Sequence, residues 1–425
     1  MLRFNRRGFL GSVAAAAVAI AALTLAPASS TAQSGEPITI GFSMALTGPL
    51  GGVGSSALLA MQIWEEDQNA KGGLLGRPVK LVYYDDQSKP DTVPGIYTKL
   101  IDVDKVDLIV GPYATGQIAP AIPVAMEKGK VIVSLFGTAV NEKFKYDRYF
   151  SMIPTGPDPK PAFTAGFFEI AMAQNPKPET IAIVAADAEF GRNVCEGART
   201  NANNANLKIV YDSTYPPNTS DVTPIVRAIQ ATNPDLVVIC SYPVESVAFV
   251  RAINEVGFKP KMIGGGMVGL QITPIKTQLG PLLNGIVDYE TWLPASTLQN
   301  DLINAVIEKY QARAEAAKVD PLGYYIPPWA YGYLQVLAAG VEGSQSLDDA
   351  KIAEWLHNNP VDTVVGKVSF GPLGEWTTSR MLQFQFQNIK SNDLSEFKDM
   401  SKLPILAPAD LKTGEVIYPY EKAKQ

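Results

Sequence analysis

A buried strand, a turn and the start of a helix follow one another in the segment VDLIVGPYATGQ, residues 106–117. Residues 106–110 are apolar except for Asp107, which is typical of a strand in a parallel sheet covered on both faces. A helical pattern extends from 117 to 128, and a second apolar run follows at 131–135. This order of strand, helix and strand predicts a βαβ unit.

The same alternation runs outward from this segment and occurs twice along the chain. The first run begins after Pro37, and the second begins after residues 152–154. Strands of the second run are predicted at 181–185, 208–211, 236–239, 262–264 and 285–289. The sequence therefore predicts an α/β protein with two doubly wound parallel-sheet lobes.

Two similar lobes suggest a hinged pair with a cleft between them. We expect residues 36–154 and 291–365 to form lobe one, and residues 155–290 and 366–425 to form lobe two. The crossings between the lobes are predicted near Pro154, Thr291 and Val365, where they would act as a three-strand hinge.

The composition restricts the chemistry that the chain can perform. The net charge is −6 over 425 residues and no basic patch stands out, which argues against nucleic acid as a partner. One histidine, His357, and two cysteines leave too few ligands for the usual kind of zinc site. We therefore expect neither a metal nor a cofactor, and no enzymatic activity.

Residues 1–32 have the pattern of a secretory signal peptide. Arg3, Arg6 and Arg7 occur there without any acidic residue, and an apolar stretch follows at 13–26. The arginine pair resembles a twin-arginine export signal, although ordinary secretory signals also contain such pairs. A membrane anchor is disfavoured because the apolar run is short and rich in alanine. The predicted location is the periplasm.

The only two cysteines, Cys195 and Cys240, would then reach an oxidising compartment that permits disulfides. Cys195 lies in a helical pattern and Cys240 ends an apolar strand. We therefore expect two buried free thiols rather than a disulfide.

Ligands of open α/β sheets bind outside the carboxyl ends of the strands. Thr115 lies at such an end, near a helix start, where free backbone N–H groups favour an anion. Phe136, Gly137 and Thr138 end the neighbouring strand, and Thr138 offers a second hydroxyl. Ala114 lies beside Thr115. Together these residues predict a carboxylate cradle.

The strand ends of the second lobe carry different side chains. Tyr242 follows an apolar strand and could cover a ligand, while Asp187 and Glu189 follow another strand. Tyr324 and Tyr325 could line the cleft or pack beside it. Each of these residues could equally be an ordinary core or surface residue.

A nucleotide site is the main competing interpretation. Residues 52–57 read GVGSSA and fit the dinucleotide fingerprint G-x-G-x-x-A. The motif lies well beyond Phe42, where the preceding strand is predicted to end, whereas the fingerprint belongs in the turn directly after the strand. An exported nucleotide-dependent oxidoreductase therefore remains an alternative function.

Several segments, in this order, give the chain its resemblance to a known family. They are IG at 40–41, LTGP at 46–49, NAKGG at 69–73, YDD at 84–86, IVGP at 109–112, IAIV at 181–184, FG at 190–191, DLV at 235–237 and VVG at 364–366. The chain resembles the type I periplasmic solute-binding proteins, in particular the leucine/isoleucine/valine-binding family of ABC importers.

The resemblance implies closure of two lobes around a small ligand, without catalysis. Residues matching Thr115 and the segment 136–138 would hold the ligand carboxylate, and Tyr242 would contact the ligand from the second lobe. It also implies that a monomeric protein delivers the ligand to a membrane permease. A ligand-sensing subunit of a membrane receptor would have the same fold and is a further alternative.

Three departures from the family pattern bear on the ligand. The acid that binds the ligand ammonium is expected at Gly266, where no acid occurs. The family disulfide is absent, because its two positions match Ser88 and Ala114. A tyrosine is expected early in lobe one, but Val53 occupies its position. We therefore favour a carboxylate without an α-amino group, with aromatic acids among the candidates. Asp187 or Glu189 could replace the missing acid.

Overall fold

The computed structural model describes residues 35–425. The predicted signal peptide at 1–32 therefore lies outside the described residues. Within 35–425, none of the helices combines the length and the apolar character needed to cross a membrane.

The first sheet consists of five parallel strands in the order β2-β1-β3-β4-β5. They are β1 (Ile38–Met44), β2 (Val79–Asp85), β3 (Leu108–Tyr113), β4 (Ile132–Leu135) and β5 (Tyr149–Ser151). Every residue of β3 and β4 is buried, as expected for strands covered on both faces. The helices between these strands are α1 (Gly51–Ala70), α2 (Val93–Thr98), α3 (Thr115–Lys128) and α4 (Asn141–Phe144).

The second sheet begins with five strands that run parallel to one another. They are β6 (Thr180–Ala186), β7 (Lys208–Tyr215), β8 (Leu236–Ser241), β9 (Met262–Met267) and β10 (Val287–Glu290). The associated helices are α5 (Pro159–Met172), α6 (Glu189–Asn204), α7 (Thr223–Ala231), α8 (Pro243–Glu255) and α9 (Thr273–Leu279). The two parallel sheets confirm the predicted α/β fold.

After β10 the chain returns to the first sheet. It forms α10 (Asp301–Ala317), α11 (Pro327–Ser344), α12 (Asp349–Asn358) and the hairpin of β11 (Val361–Thr363) with β12 (Gly366–Val368). Helices α10 and α11 pack against α1. The chain then ends in the second lobe with β13 (Leu382–Gln385), which pairs antiparallel with β10, and β14 (Ile405–Ala407), which pairs antiparallel with β13. Strand β14 forms one edge of this sheet.

The third crossing lies later than the predicted position near Val365. Phe370 packs edge-on against Phe150 of β5, with 5.0 Å between ring centroids. Trp376 packs against Trp329 of α11 at 5.8 Å. These contacts keep residues 366–376 with the first lobe, so the predicted boundary at 365 is too early.

The prediction of two free thiols is wrong, because Cys195 and Cys240 form a disulfide with 6.3 Å between their Cα atoms. Cys195 lies on the buried face of α6, which packs against β8, and Cys240 is in β8. Helix packing on the sheet therefore brings together two cysteines that are separated by 45 positions in sequence. The disulfide therefore links α6 covalently to β8 in the second lobe.

Candidate functional site

An inner cavity of about 20 Å³ lies between the two lobes, at the carboxyl ends of the strands. Its lining residues are Tyr113, Ala114, Thr115, Phe136, Thr138, Ile153, Phe163, Phe190, Tyr242, Val268, Tyr289 and Tyr325. A cavity needs about 10–15 Å³ to hold one water molecule. The inner cavity in this closed arrangement is therefore narrow and mostly aromatic.

The structure brings the two predicted hydroxyl residues together. The backbone N–H of Thr138 donates a hydrogen bond to Thr115 Oγ1 over 3.2 Å. Thr115 is the first residue of α3, so the free backbone N–H groups at the beginning of that helix lie beside it. Thr138 Oγ1 is buried and has no hydrogen-bond partner among residues 35–425. A buried hydroxyl without a partner is costly, and an anionic ligand that accepts a hydrogen bond from it would remove that cost.

Two residues at these strand ends have a left-handed backbone. Ala114 has a φ of 79° and Phe136 has a φ of 66°. Such conformations cost non-glycine residues about 1–3 kcal/mol and tend to occur at functional sites. The Phe136 ring packs edge-on against Tyr325 and Trp329, with centroids 5.7 Å and 5.4 Å away. Packing of this ring holds the turn that presents Thr138 to the cavity.

Gly137 does not line the cavity, although it was predicted to belong to the carboxylate cradle. A Cβ atom at this position would lie 2.6 Å from Tyr149 Oη. Tyr149 is fully buried, and its Oη accepts a hydrogen bond from Ser134 Oγ at 2.7 Å. The glycine therefore leaves space for a core tyrosine rather than for a ligand.

Three tyrosine hydroxyls meet across the back of the inner cavity. Tyr325 Oη lies 2.9 Å from Tyr289 Oη and 3.3 Å from Tyr113 Oη. Burial raises the pKa of Tyr113 to about 12 and raises the pKa of Tyr289 and of Tyr325 well above the ordinary value. The hydroxyls therefore stay protonated. Tyr289 belongs to β10 while Tyr113 and Tyr325 belong to the first lobe, so this cluster links the two lobes.

An outer chamber of about 390 Å³ lies between the lobes at the mouth of the cleft. Its lining residues are Pro49, Leu50, Ser88, Pro90, Gly116, Gln117, Ala188, Glu189, Arg192, Pro217, Asn218 and Tyr242. Tyr242 lines both the inner cavity and the outer chamber. This tyrosine therefore separates the two compartments.

The two predicted acids differ in their surroundings. Asp187 forms an ion pair with Arg192 at 2.9 Å, its side chain is 56% exposed, and it lines neither compartment. Glu189 is half-buried, lines the outer chamber and has no ion pair within the described chain. Burial raises the pKa of Glu189, and the charges of Lys143 and Arg192 oppose that rise. Only Glu189 is placed to contact a ligand.

Gly266 also lies away from the cleft. A Cβ atom there would meet Ile239 O at 3.2 Å and Val194 Cγ1 at 3.4 Å, so the position faces β8 and α6. Val268 is the residue just after β9 that lines the inner cavity. The transferred ligand role of Gly266 therefore finds no support in the geometry.

Contacts that join the lobes across the cleft were missed by sequence reasoning. Asn193 Nδ2 in α6 donates a hydrogen bond to Thr138 O at 3.0 Å. On the other side, Thr273 N donates to Asp320 Oδ2 at 2.7 Å. Asn193 lies four residues after Glu189 in α6, so both residues share one helix face. That spacing is the signal that could have identified Asn193.

The glycines of the 52–57 motif have a packing role. A Cβ atom at Gly54 would overlap the carbonyl oxygen of Ala45, in the loop after β1. Helix α1 starts at Gly51 and needs this close approach to pack over the strand end. The motif therefore resembles a nucleotide fingerprint by coincidence of spacing, and the oxidoreductase alternative is not supported.

Comparisons with known proteins agree with this geometry. Residues 37–390 match the family model described as periplasmic binding protein. An amino acid binding protein of Pseudomonas aeruginosa is 26% identical over 346 residues, covering 79% of this chain and 88% of the relative. The Leu/Ile/Val-binding protein of Escherichia coli is 25% identical over 344 residues, covering 80% and 88%.

Solved structures show the same fold at lower identity. The branched-chain amino acid transporter substrate-binding protein LivJ of Streptococcus pneumoniae, in complex with isoleucine, matches with a TM-score of 0.71 and 17% identity over 90% of this chain and 100% of that one. A solute-binding protein of an ABC transporter from Rhodopseudomonas palustris, in complex with 3,4-dihydroxybenzoic acid, matches with a TM-score of 0.70 and 15% identity over 84% and 94%. The chain belongs to the periplasmic binding protein family, whose members are solute-binding proteins of ABC transporters and not enzymes.

Proposed function

We propose that this protein is the extracytoplasmic solute-binding component of an ABC importer, that it binds a small carboxylate between its lobes, and that it delivers this ligand to a membrane permease. The observation that carries the proposal is the buried, unpartnered hydroxyl of Thr138 beside Thr115. A hydroxyl donor and the free N–H groups at the start of α3 suit a carboxylate better than a neutral group.

The closed arrangement of the lobes supports capture of the ligand by hinge closure. Asn193 reaches Thr138 O from the second lobe, and Lys160 of α5 pairs with Glu142 of α4 at 3.0 Å. Closure of two domains around a ligand is a common switching mode. These contacts would form only when the cleft closes.

The family supports the proposed partner, whereas the proposed route of export rests on the sequence of residues 1–32. The relatives named as Leu/Ile/Val-binding proteins and the ABC transporter components among the solved structures support a permease as the partner. We infer that the protein acts as a monomer, since one chain supplies every wall of both compartments. Twin-arginine export through residues 1–32 is part of the same proposal.

The ligand class is the open part of the proposal. Isoleucine and 3,4-dihydroxybenzoic acid occupy the two structural neighbours named above, so both amino acids and aromatic acids suit this fold. The aromatic lining of the inner cavity supports an aromatic acid, and the absence of an acid at Gly266 disfavours the family's usual way of binding an ammonium group.

A thermal-shift screen of amino acids, aliphatic acids and aromatic acids, with neutral sugars and nucleotides as comparison compounds, tests the proposal. A ligand present at a hundred times its dissociation constant stabilises the fold by about 2.7 kcal/mol. We expect at least one carboxylate to raise the melting temperature. If no carboxylate does so while neutral sugars or nucleotides do, the proposed function is wrong.

A further inference from the structure

A buried pair of charged side chains, which lines neither compartment of the cleft, lies where the chain crosses from β10 back to the first lobe. The side chain of Lys276 in α9 is 1% exposed, and that of Glu290 in β10 is fully buried. Lys276 Nζ lies 4.0 Å from Glu290 Oε1, which has no hydrogen-bond partner among residues 35–425. Buried charges are costly unless other groups compensate them, so the state of this pair depends on the charges around it.

A carboxylate of the first lobe reaches this pair from the other side of the cleft. Asp320 lies between α10 and α11, and its backbone N–H donates a hydrogen bond to Ser56 Oγ of α1 at 3.3 Å. Asp320 Oδ2 accepts a hydrogen bond from the N–H of Thr273, the first residue of α9, at 2.7 Å. Lys276 follows Thr273 by one turn of α9, and the charge of Asp320 acts on both Lys276 and Glu290. Asp320 therefore belongs to the first lobe but influences charges of the second.

The protonation of the pair responds to Asp320. Burial raises the pKa of Glu290 to about 8, and the positive charge of Lys276 opposes that rise. Burial lowers the pKa of Lys276, and the carboxylates of Glu290, Asp320 and Asp288 oppose the fall. A negative charge at Asp320 therefore raises the pKa of both members of the pair, which titrate together.

The other ionisable groups around these residues are Asp288 and Tyr289 of β10, Tyr310 of α10, and Tyr324 in the first lobe. Burial raises the pKa of all three tyrosines, so their hydroxyls stay protonated. Burial also raises the pKa of Asp288, but this residue shares β10 with Glu290 and keeps its distance from the pair when the lobes move. Among these groups, Asp320 alone is a carboxylate carried by the first lobe.

We propose that Asp320, Lys276 and Glu290 form a proton-linked latch between the lobes, so that closure on a ligand takes up protons from solvent and ligand affinity depends on pH through residues that do not touch the ligand. This inference rests on the proposed function, because ligand binding drives the closure that brings Asp320 to α9. Opening of the lobes would break the hydrogen bond from Thr273 N and carry the carboxylate away from Lys276.

The direction of the pH dependence follows from the sign of the charge that moves. The closed state has Asp320 beside the pair, so the pair has a higher pKa and holds more protons there than in the open state. Ligand affinity is therefore greatest below the pKa of the pair in the open state. It falls as the pH rises through the pKa of the closed state, which is about 8 for Glu290.

Calorimetric titration with benzoate, phenylacetate and isocaproate from about pH 6 to about pH 9 tests this inference, because these acids keep a constant charge over that range. Repeating each titration in buffers of different ionisation enthalpy measures the protons taken up. The test variants are Asp320→Asn and Glu290→Gln, and Asp320→Asn decides alone if Glu290→Gln does not fold.

Asp235→Asn is the matched control. Asp235 also accepts hydrogen bonds from two backbone N–H groups and pairs with a lysine, Lys261, at 2.9 Å. It lies directly before β8, at the end of the sheet opposite to the cleft, and its partners all belong to the second lobe. Glu189 in the outer chamber also has a raised pKa, but it is present in every variant. The difference between the wild type and the latch variants therefore reports on the latch.

We expect a bound acid to lose about threefold or more in affinity across this range in the wild type, with protons taken up on binding. Asp320→Asn and Glu290→Gln should reduce that loss to about twofold or less and lower the number of protons taken up. Asp235→Asn should keep both at the wild-type value. A flat wild-type profile, an affinity that rises with pH, or an unchanged profile in a folded latch variant would overturn the inference.

The proposed function and the latch can fail separately. Binding of an acid with a flat pH profile leaves the proposed function standing and removes the latch. If none of the three acids binds, small-angle X-ray scattering of the ligand-free protein decides. A smaller radius of gyration at about pH 6 than at about pH 9, present in the wild type and absent in Asp320→Asn, would support the latch. Equal radii at both pH values, or the same change in Asp320→Asn, would overturn it.

Discussion

The two sides of the cleft are built differently. The first-lobe wall, formed by Ala114, Thr115, Phe136 and Thr138, carries hydroxyls and aromatic groups and is held by the Thr138–Thr115 hydrogen bond and by ring packing. The second-lobe wall, formed by Glu189, Asn193 and Tyr242, carries a charge and polar groups and is fixed through the Cys195–Cys240 disulfide.

The difference indicates that the two walls recognise different parts of a ligand. The first-lobe wall is buried and keeps its polar groups in a fixed geometry, which suits recognition of a carboxylate common to many solutes. The second-lobe wall borders the larger chamber, where the variable part of a ligand would lie. Specificity among carboxylates should therefore depend on the second-lobe wall together with the first-lobe residues that line the same chamber, such as Gly116 and Gln117.

The largest effect is expected from Phe136→Ala in the first-lobe wall. Phe136 is 4% exposed and packs against Tyr325 and Trp329, so truncation should lower the free energy of unfolding by about 3–5 kcal/mol. Urea denaturation measures this change. Leu302→Ala, at a 44% exposed position of α10, is the control and should change stability by about 0.5 kcal/mol or less. Similar small losses for both variants would show that ring packing does not hold this wall.

Removal of the disulfide tests how the second-lobe wall is held. The double variant Cys195→Ala/Cys240→Ala should lose about 2–4 kcal/mol of unfolding free energy, because the bond closes a long loop and ties α6 to β8. The same denaturation experiment applies, with the wild type under reducing conditions as a second measurement. An unchanged midpoint in both would mean that packing alone fixes this wall.

The affinity of the carboxylate site should respond to Thr138→Val. Loss of a hydroxyl that binds a charged group should weaken a carboxylate by about 1.5–3 kcal/mol, or about tenfold or more. Titration of the best acid from the screen measures the loss. Thr155→Val is the matched control, since Thr155 also has a buried, unpartnered hydroxyl but lines neither compartment. Equal losses in the two variants would remove the proposed carboxylate site.

The smallest effect is expected from Asn193→Ala. Its hydrogen bond to Thr138 O joins the two walls, and a neutral hydrogen bond contributes about 0.5–1.5 kcal/mol. Closure should become less favourable, so ligand affinity should fall by about twofold to tenfold. Asn203→Ala, at an exposed position near the other end of α6, should leave affinity unchanged. If both variants bind like the wild type, Asn193 does not stabilise the closed state.

Much of the fold was predictable because its signals are local. The mostly apolar run 106–110 and the repeated alternation of strands and helices predict buried parallel strands, and the structure confirms them. The hairpin after α12 and the late third crossing were not predictable, since they depend on contacts such as Phe370 with Phe150 between distant residues.

The site was predictable only in part, for a related reason. Thr115 and Thr138 stand at strand ends, and that position, together with the family resemblance, predicted the carboxylate role that we propose for them. Tertiary packing decides whether Gly137 and Gly266 face the cleft or the core. It also decides whether Asp187 pairs with Arg192. The disulfide was missed because two cysteines in different elements meet only when α6 packs on the sheet.

The central claim, that the cleft binds a carboxylate at Thr115 and Thr138, is tested most directly by titrating the wild type with acids and their carboxamides. Suitable pairs are phenylacetate with phenylacetamide, leucine with leucinamide, and isocaproate with its amide. Loss of the negative charge leaves size and shape nearly unchanged. We predict that an acid binds and that its amide binds at least about tenfold more weakly. Equally tight binding of an acid and its amide would contradict the account, as would binding of amides alone.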